Sequence, residues 1–387
     1  MKTKTIFLTM FLSICTALSW GQTWNLTSTM TATLDVSGTL TISTTAVSGE
    51  AMPNFSSSSR PWHNDRANIL SIVIEDGVTS IGNEAFYECN NLTQIAIPNS
   101  VTRIGYSAFQ YCTALTQIAI PSLVTTIGHQ AFHHCRSLTS VTIPNLVTRI
   151  EIQTFDDCTN LISVTIPNSV TAIGQSAFSD CTSLTQITIP NSVTTIGQRA
   201  FASCTSLTSA TIPNLVTRIE IQTFVNCTSL ASVTIPNSVT TIGNYAFAGC
   251  LSLTDVSVEW ITPLSVPNDI FFLYVNLSAA TLHVPVGTKS LYQAAPVWQD
   301  FGTIVETAVG LIPIENAGNT FRAAAIDHLL KIESPHQELI TIYSLAGIPL
   351  HSITKNAGSV EIPVSSLSAG SVFIVKGSVS GTVKVVR

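Results

Sequence analysis

The chain has 387 residues, of which 45% are hydrophobic and 10% charged, and its formal net charge is −6. This length allows two or three domains. The few charged residues form neither the basic patch of a nucleic-acid binder nor an acidic tail. After the N-terminus no run of about 18 apolar residues occurs, so we expect no transmembrane segment in the mature chain.

The N-terminus has the features of an export signal. Lys2 and Lys4 precede the short apolar stretch TIFLTMFLSICTALSWGQ, and small residues near Gly21 suit a cleavage site. Residues 1–21 are therefore predicted to be a signal peptide, which places the mature chain outside the cell or on its outer surface. Cys15 permits a lipoprotein signal, but Ile14 stands where such signals have a small residue, so lipidation is disfavoured.

Residues 22–68 precede a regular region and are predicted to form its N-terminal cap. They contain the stretch GTLTISTTAV and Trp62. The first coil of a repeat array exposes an apolar end, and these residues supply the apolar side chains that can cover it.

From residue 69 to residue 257 the sequence repeats every 23 residues. Two residue types mark the period: Phe86, Phe109, Phe132, Phe155, Phe178, Phe201, Phe224 and Phe247, and Cys89, Cys112, Cys135, Cys158, Cys181, Cys204, Cys227 and Cys250. Such a period is typical of a solenoid, in which each coil needs its neighbours to bury its apolar side. We predict stacked parallel strands about 4.8 Å apart and a buried column of Phe rings.

Each coil is predicted to contain one strand, a stop and a tight turn. The stretch QIAIP around Ile95 alternates apolar and polar residues, and Pro98 ends the strand because it lacks an N–H. A second apolar pair follows, and Gly105 is expected to turn the chain through a positive φ. Glu151 and Glu220 replace this glycine in two coils, and because glutamate disfavours a left-handed backbone, those turns are expected to differ locally or to carry strain.

The coil pattern F-x-x-C-x-x-L-x-x-I-x-I-P-x-x-V-x-x-I-G-x-x-A-F resembles the BspA-like class of leucine-rich repeats. This resemblance implies a curved right-handed leucine-rich repeat solenoid with a role in surface adhesion or in recognition of host or microbial partners. Residues 258–310 resemble the closing segment of such proteins in the Bacteroidetes. They are expected to cap the last coil with the apolar side chains of Leu291, Tyr292, Trp298 and Phe301.

Residues 311–387 form a separate unit of short strands joined by turns, which predicts a small all-β antiparallel sandwich. The strand stretches are HLLKIES, ELITIYSLAGIPLHSI, SVEIPVSSLSAGSVFIVKGS and GTVKVVR. Their order resembles the C-terminal sorting domain of type IX secretion, which implies that residues 311–387 engage that secretion machinery. Phe373 stands where the family usually has Tyr. An ordinary adhesive sandwich domain is the alternative.

The eight cysteines of the repeat have two possible states. An even number in an exported chain suggests disulfides, and the sequence lacks the close C-x-x-C pairs of zinc sites. Parallel side chains in stacked coils would hold their Cβ atoms about 4.8 Å apart, whereas disulfides need about 3.5–4.5 Å. A ladder of free, buried thiols is therefore the favoured interpretation.

The sequence contains no constellation typical of an enzyme. The patterns G-x-S-x-G and H-E-x-x-H and the phosphate loop are absent. His133 and His134 occupy a position that varies between coils, which favours a solvated surface pair. Asp156 and Asp157 have no second acidic cluster one coil away to complete calcium ligation. We therefore expect a non-enzymatic chain without catalytic, metal or cofactor residues.

Two surfaces remain as candidate binding faces. Outward strand positions form an uncharged face of Gln94, Gln117, Thr142, Thr165, Gln186, Thr188, Thr211 and Thr234. This face suits an extended polymer or a flat protein, although Thr also suits exposed strand sites that bind nothing. The rival is the expected convex side, where the residues around each Phe vary and include the binding-anchor types Tyr87, Tyr106, Tyr111, His133 and Tyr245.

The sequence therefore predicts a secreted or cell-surface-displayed leucine-rich repeat protein that binds host or microbial proteins or glycans. The alternative function is a structural spacer or coat solenoid without a specific ligand.

Overall fold

The computed structural model describes residues 21–307 continuously. Beyond them it describes the strand residues 322–326, 329–334, 338–344, 349–355, 358–363, 372–377 and 381–386. The predicted signal peptide, apart from Gly21, lies outside the described residues. Within the described part of the chain, no helix has the length and apolar character needed to cross a bilayer.

An antiparallel meander closes the N-terminal end of the fold. It consists of β1 (Gln22–Asn25), β2 (Met30–Leu34) and β3 (Thr39–Thr44), and it is followed by β4 (Glu50–Ala51) and a 3₁₀ helix (His63–Asn68). β3 continues in parallel register into the first coil. Trp62 is fully buried, and its indole N–H donates to the Ala85 carbonyl at 2.9 Å. Trp62 thus covers the first coil, as the sequence predicts.

Most coils contribute two short strands instead of the single strand expected. In chain order they are β5 (Ser71–Ile74), β6 (Val78–Ile81), β7 (Gln94–Ala96), β8 (Arg103–Ile104), β9 (Thr126–Ile127), β10 (Ser140–Thr142), β11 (Arg149–Ile150), β12 (Ser163–Thr165), β13 (Ala172–Ile173), β14 (Thr195–Ile196), β15 (Ser209–Thr211), β16 (Arg218–Ile219), β17 (Ser232–Ile235), β18 (Thr241–Ile242) and β19 (Asp255–Val258). In most coils the second strand contains one residue of the second apolar pair, a segment that was not predicted to form a strand.

The strands form two parallel rows. The first row contains β3, β5, β7, β10, β12, β15, β17 and β19, and the second contains β4, β6, β8, β9, β11, β13, β14, β16 and β18. Where coils from β5 to β19 pair, a residue pairs with the one 23 positions later, as Val141 does with Val164 and Ile104 with Ile127. The offsets into the first coil are longer, since Thr39 pairs with Ser71 and Glu50 with Val78. The second row has no strand pairing between β9 and β11 or between β14 and β16. The first row is interrupted at Gln117, which makes an isolated bridge to Ser140, and at residues 186–188.

The segment predicted to be the C-terminal cap also continues the solenoid. β20 (Thr281–Pro285), a short helix α1 (Lys289–Gln293) and β21 (Thr303–Thr307) follow β19, and both strands extend the first row in parallel. Two 3₁₀ turns, Leu277–Ala279 and Trp298–Asp300, lie among them.

Three of the four predicted capping side chains cover the C-terminal end of the core. Tyr292 and Trp298 are fully buried and Phe301 is nearly so. The Tyr292 hydroxyl donates to the Trp260 carbonyl at 2.7 Å, which fixes the cap against the preceding coil. Leu291 was wrongly included, because it is 48% exposed. It precedes Tyr292 on the short helix and points away from the core.

The eight Phe side chains form a continuous buried column, which confirms the sequence prediction. Neighbouring ring centroids lie 5.3–5.6 Å apart, and Trp62 and Phe271 extend the column at its two ends. This ring spacing exceeds the strand spacing of about 4.8 Å.

The turn that carries each Phe uses left-handed residues other than glycine. Ser107 and Tyr111 have φ values of 49° and 63°, and equivalent residues of nearly every coil do the same. The Phe109 N–H donates to the Ala131 carbonyl of the next coil at 2.8 Å. Ser107 and Tyr111 also donate forward, so the turns form a third ladder between coils. These bonds hold a conformation that is costly in isolation.

Gly105 does not adopt the positive φ expected from the sequence. Its role is close contact between coils: a Cβ at this position would lie 2.6 Å from the backbone nitrogen of Asn83 and 2.7 Å from the carbonyl carbon of Gly82. The glycine is therefore selected by packing between coils and not by backbone angle.

Of the two expected alternatives for the glutamates at this position, left-handed strain is absent. In the coils of Glu151 and Glu220, Thr154 and Thr223 replace the usual Ala. Each Thr hydroxyl donates to the Glu carbonyl of its own coil, at 2.9 and 2.8 Å. In both coils, Glu replaces Gly and Thr replaces Ala together.

All eight repeat cysteines are free and buried, in agreement with the thiol ladder. The Cys112 thiol donates to the Phe86 carbonyl of the preceding coil at 3.2 Å, and the same bond recurs in every later coil up to Cys250. Burial raises the pKa of the Cys89 and Cys250 thiols to about 12.

Beyond residue 321 the described strands form two antiparallel sheets. They are β22 (Arg322–Ile326), β23 (Leu329–Ser334), β24 (Glu338–Ser344), β25 (Pro349–Lys355), β26 (Gly358–Pro363), β27 (Val372–Gly377) and β28 (Gly381–Val386). One sheet has the order β22-β23-β26 and the other β25-β24-β27-β28. The sequence analysis missed β22. The packing of the two sheets as a sandwich remains a prediction.

Truncation of a central ring should damage the array more than truncation of an exposed side chain. Phe178→Ala removes a fully buried ring whose neighbours are held by strand hydrogen bonds, so we expect a loss of about 3–5 kcal/mol. The exposed Thr188 serves as control, and Thr188→Ala should cost less than about 0.5 kcal/mol. Denaturant unfolding of the mature chain measures both, and equal small losses would contradict the stacked core.

The cysteines should be unreactive until the chain unfolds. Thiol reagents attack the thiolate, and burial with a raised pKa suppresses it, so the native chain should show no labelling at pH 8. Denaturation without reductant should release eight reactive thiols per mature chain. A denatured chain without reactive thiols would instead indicate disulfides.

Candidate functional site

The strand face consists of the outward positions of the first row. Its members Thr142 and Thr165 pair at the Cα, as do Thr211 and Thr234. All eight predicted residues are exposed except Thr234, which is half-buried. Gln117, Gln186 and Thr188 lie where the row is not a regular strand. The structure thus brings together most of this face as a flat, uncharged surface.

Hydroxyl ladders along the second row were not anticipated. The hydroxyls of Thr102 and Thr125 each donate at 3.2 Å to the carbonyl of the Thr one coil earlier, and Thr171, Thr194 and Thr240 do the same at 3.1–3.2 Å. Since these hydroxyls are engaged within the chain, they stabilise stacking. The 23-residue recurrence of Thr was visible in the sequence, but its bond to the preceding coil was not.

The turn face consists of residues 83–88 and their equivalents in later coils. Tyr87 meets Tyr111 edge to face at 5.6 Å, and Tyr111 stacks on His134 at 4.4 Å. Tyr106 and Tyr245 stand apart from this group and are 42% and 37% exposed. The predicted aromatic residues thus fall into two sets: a packed group around Tyr111, and Tyr106 and Tyr245, which lie outside that group.

His133 is not the solvated residue that the sequence suggested. Its side chain is only 12% exposed. The Gln110 amide donates to Nδ1 at 2.9 Å, and Nε2 lies 3.5 Å from Asp156 Oδ2. Burial and the neighbouring His134 lower the pKa of His133 to about 4. Burial raises the pKa of Asp156. Both shifts favour the uncharged form of the residue, as expected for groups removed from water.

His134 and Asp157 form a second pair beside the first. The His134 ring contacts the Asp157 carboxylate, which also accepts from Arg136 through Nη2 at 2.6 Å and Nε at 2.9 Å. The prediction of a solvated histidine pair was wrong because a shift of 23 residues places these carboxylates directly beside the imidazoles. Among the described residues, no group of three or more His, Cys, Asp or Glu side chains is arranged to hold a metal ion.

Arg60 extends this network into the N-terminal cap. Its guanidinium carbon lies 5.5 Å from the centroid of the Tyr87 ring, and Nη1 donates to the Ser57 carbonyl at 2.6 Å. The residue is 1% exposed. The sequence analysis missed Arg60 because cap residues carry no periodic signal.

The opposite end of the turn face carries an exposed cluster, which we call the C-terminal aromatic patch: Tyr245, Phe272, Leu273 and Tyr274. Phe272 is 57% and Tyr274 92% exposed. Tyr245 meets Phe272 edge to face at 6.0 Å. Of these residues only Tyr245 was predicted, because the other three follow the last regular coil, where the period ends.

Comparison with protein families agrees with this architecture. A family model described as the BspA type leucine rich repeat region matches residues 62–170 and 148–277, with six copies. No curated protein matches the chain. A leucine-rich cell surface protein of Faecalibacterium prausnitzii is 27% identical, with a TM-score of 0.42 over 74% of this chain and 95% of that chain. A leucine-rich repeat protein of T. pallidum is 26% identical, with a TM-score of 0.36 over 61% and 89%.

The buried His133 should make stability depend on pH. Its pKa is about 4 in the folded chain against 6.5 as the reference value. The unfolded chain therefore binds the proton more readily, and stability present above pH 6.5 is lost as the pH falls toward 4. His133→Gln removes this titration while it keeps a hydrogen-bonding side chain.

Urea unfolding at pH 7 and pH 5 tests this dependence. Between these values the wild-type chain should lose about 1–2 kcal/mol more than the variant. The raised pKa of Asp156 acts in the opposite direction in both proteins, so the difference between them isolates His133. Equal losses in the two proteins would show that the folded chain protonates the His133 imidazole as readily as the unfolded chain does.

Proposed function

The chain belongs to the BspA-type leucine-rich repeat family, and on that premise we propose that it is a secreted or cell-surface-displayed binding protein for extracellular proteins or glycans. Residues 1–21 would direct its export. Residues 311–387 would engage type IX secretion and thereby place the chain at the outer surface. The pattern of charged, apolar and small residues in 1–21 supports the first assignment, and the resemblance of residues 311–387 to the sorting domain supports the second.

One observation carries the proposal: the turn face varies where the rest of the coil repeats. The residue after the Gly or Glu of each coil is successively Asn83, Tyr106, His129, Ile152, Gln175, Gln198, Ile221 and Asn244, and all of them except the half-buried Asn83 are exposed. Stacking requires the buried Phe and Cys and the backbone ladder, but not this variation. A surface that differs from coil to coil distinguishes one end of the array from the other, which favours recognition of a particular partner.

The exposed aromatic side chains also lie on the turn face. Tyr106, Tyr245, Phe272 and Tyr274 are each more than a third exposed, and such residues are frequent anchors in binding interfaces. By contrast, the strand face presents short Thr, Ser, Ala and Gln side chains. We therefore assign binding to the turn face.

The alternative function, a spacer or coat solenoid, is favoured by the hydroxyl ladders along the second strand row. These bonds serve the stacking of coils and need no ligand. Assembly of the mature chain into filaments or sheets without a ligand would support this alternative over the binding function.

A binding screen of the mature chain tests the proposal. Immobilised matrix proteins, mucins and glycans are offered to the wild-type chain, to a turn-face variant (Tyr106→Ala, Tyr245→Ala) and to a strand-face control (Gln186→Ala, Thr188→Ala). We expect saturable binding that the turn-face variant weakens at least about tenfold, a change of about 1.4 kcal/mol. Loss only in the control would move the site to the strand face, and no saturable binding would reject the function.

A further inference from the structure

We propose that the C-terminal aromatic patch is a subsite for a neutral polysaccharide, in which a pyranose ring stacks on the exposed aromatic side chains. The inference rests on the proposed binding function and names a ligand class for one end of the turn face. It goes beyond the predicted residues, since Phe272 and Tyr274 were not among them.

At the patch, a side chain is exposed at a position that is buried in every earlier coil. Phe271 stacks on Phe247 at 5.8 Å and therefore takes the next place in the Phe column. Three residues after each earlier Phe comes a buried Cys, but three residues after Phe271 comes Tyr274, which is 92% exposed. Burial of a large apolar side chain stabilises a fold by about 1.5–3 kcal/mol. The exposed Tyr274 ring does not contribute this stabilisation.

The backbone holds these side chains outward. Leu273 and Tyr274 have φ values of 61° and 65°, a conformation that bulky residues rarely adopt. In the coil before, the N–H of Gly249 donates to the Phe272 carbonyl at 2.9 Å, which ties the turn to the array. The turn therefore presents Phe272 and Tyr274 from a fixed backbone, which reduces the ordering cost of binding.

Polar groups suited to sugar hydroxyls border the rings. The amide of Asn244, an exposed residue, donates to Asp269 Oδ2 at 2.8 Å, which orients the amide oxygen away from the carboxylate. Hydroxyls at the edge of a sugar ring can donate to this amide oxygen, because Asn244 is exposed. A pyranose combines an apolar C–H face with hydroxyls at its edge, and the patch has both counterparts.

Charge decides that the ligand is neutral. Residues 244–250 and 268–276, which hold the patch, contain no Lys or Arg, and Asp269 is their one charged residue. An acidic polysaccharide or an anionic lipid surface would find no cationic side chain on these segments. Each side of a stable protein interface buries about 800 Å², so a protein partner would have to cover more of the turn face than these four side chains.

Affinity electrophoresis of the mature full-length chain tests the proposal. The native gels contain one soluble polymer each: a β-glucan, a mannan, a xylan or a galactan as neutral probes, and alginate as an acidic one. At least one neutral polymer should retard the wild-type chain. Phe272→Ala and Tyr274→Ala should each weaken that retardation at least about tenfold. Thr188→Ala, an exposed residue on the strand face, should behave as the wild type.

Because Tyr274 is almost fully exposed, its variant should fold normally, and an unchanged unfolding midpoint establishes this. Retardation by no neutral polymer, or by alginate alone, overturns the proposal, as does undiminished retardation of Tyr274→Ala. A shift of oligomeric state in that variant would mean that the patch binds a second copy instead. Saturable binding of a matrix protein without any polysaccharide binding would reject this inference and leave the proposed function standing.

Discussion

The parallel register of 23 residues is the constraint on which the rest of the structure depends. Neighbouring coils bond through one or both strand rows where these are continuous, and through the turn that carries the Phe, so a given position of the repeat meets its own equivalent. This forces identical side chains into columns. A column of Phe or Cys stacks well, and a column of Thr bonds its hydroxyls to the carbonyls of the previous coil.

The same register explains the close contacts that limit substitution. At Gly105 and its equivalents the backbones of adjacent coils approach so closely that a Cβ has no room. The two glutamate coils show that the position can change when the partner residue changes with it. In those coils Thr154 and Thr223 supply a hydroxyl that satisfies the Glu carbonyl. Substitution within a coil is therefore coupled, whereas substitution on the turn face is freer.

This freedom is what connects the fold to a binding function. The core and the three ladders use only part of each coil, and the remaining turn positions can vary without loss of stacking. In this chain they carry a packed aromatic and ionic network near the N-terminal cap and an exposed aromatic patch at the other end. A rigid array thus holds two chemically different surfaces at separate places along one face.

The sequence alone determined the period, and with it the Phe column and the free buried thiols, because identical spacing forces identical burial. Trp62 was predicted as a cap from its place before the first coil. The expected positive φ of Gly105 was wrong, since a left-handed angle and a close backbone contact both select glycine. Only the tertiary structure decided the environment of His133. The carboxylate that meets its imidazole lies 23 residues away in sequence and one coil away in space, and its buried state depends on the packing of both coils. The exposed Tyr274 was hidden for the opposite reason: it follows the point where the period, and its predictive power, ends.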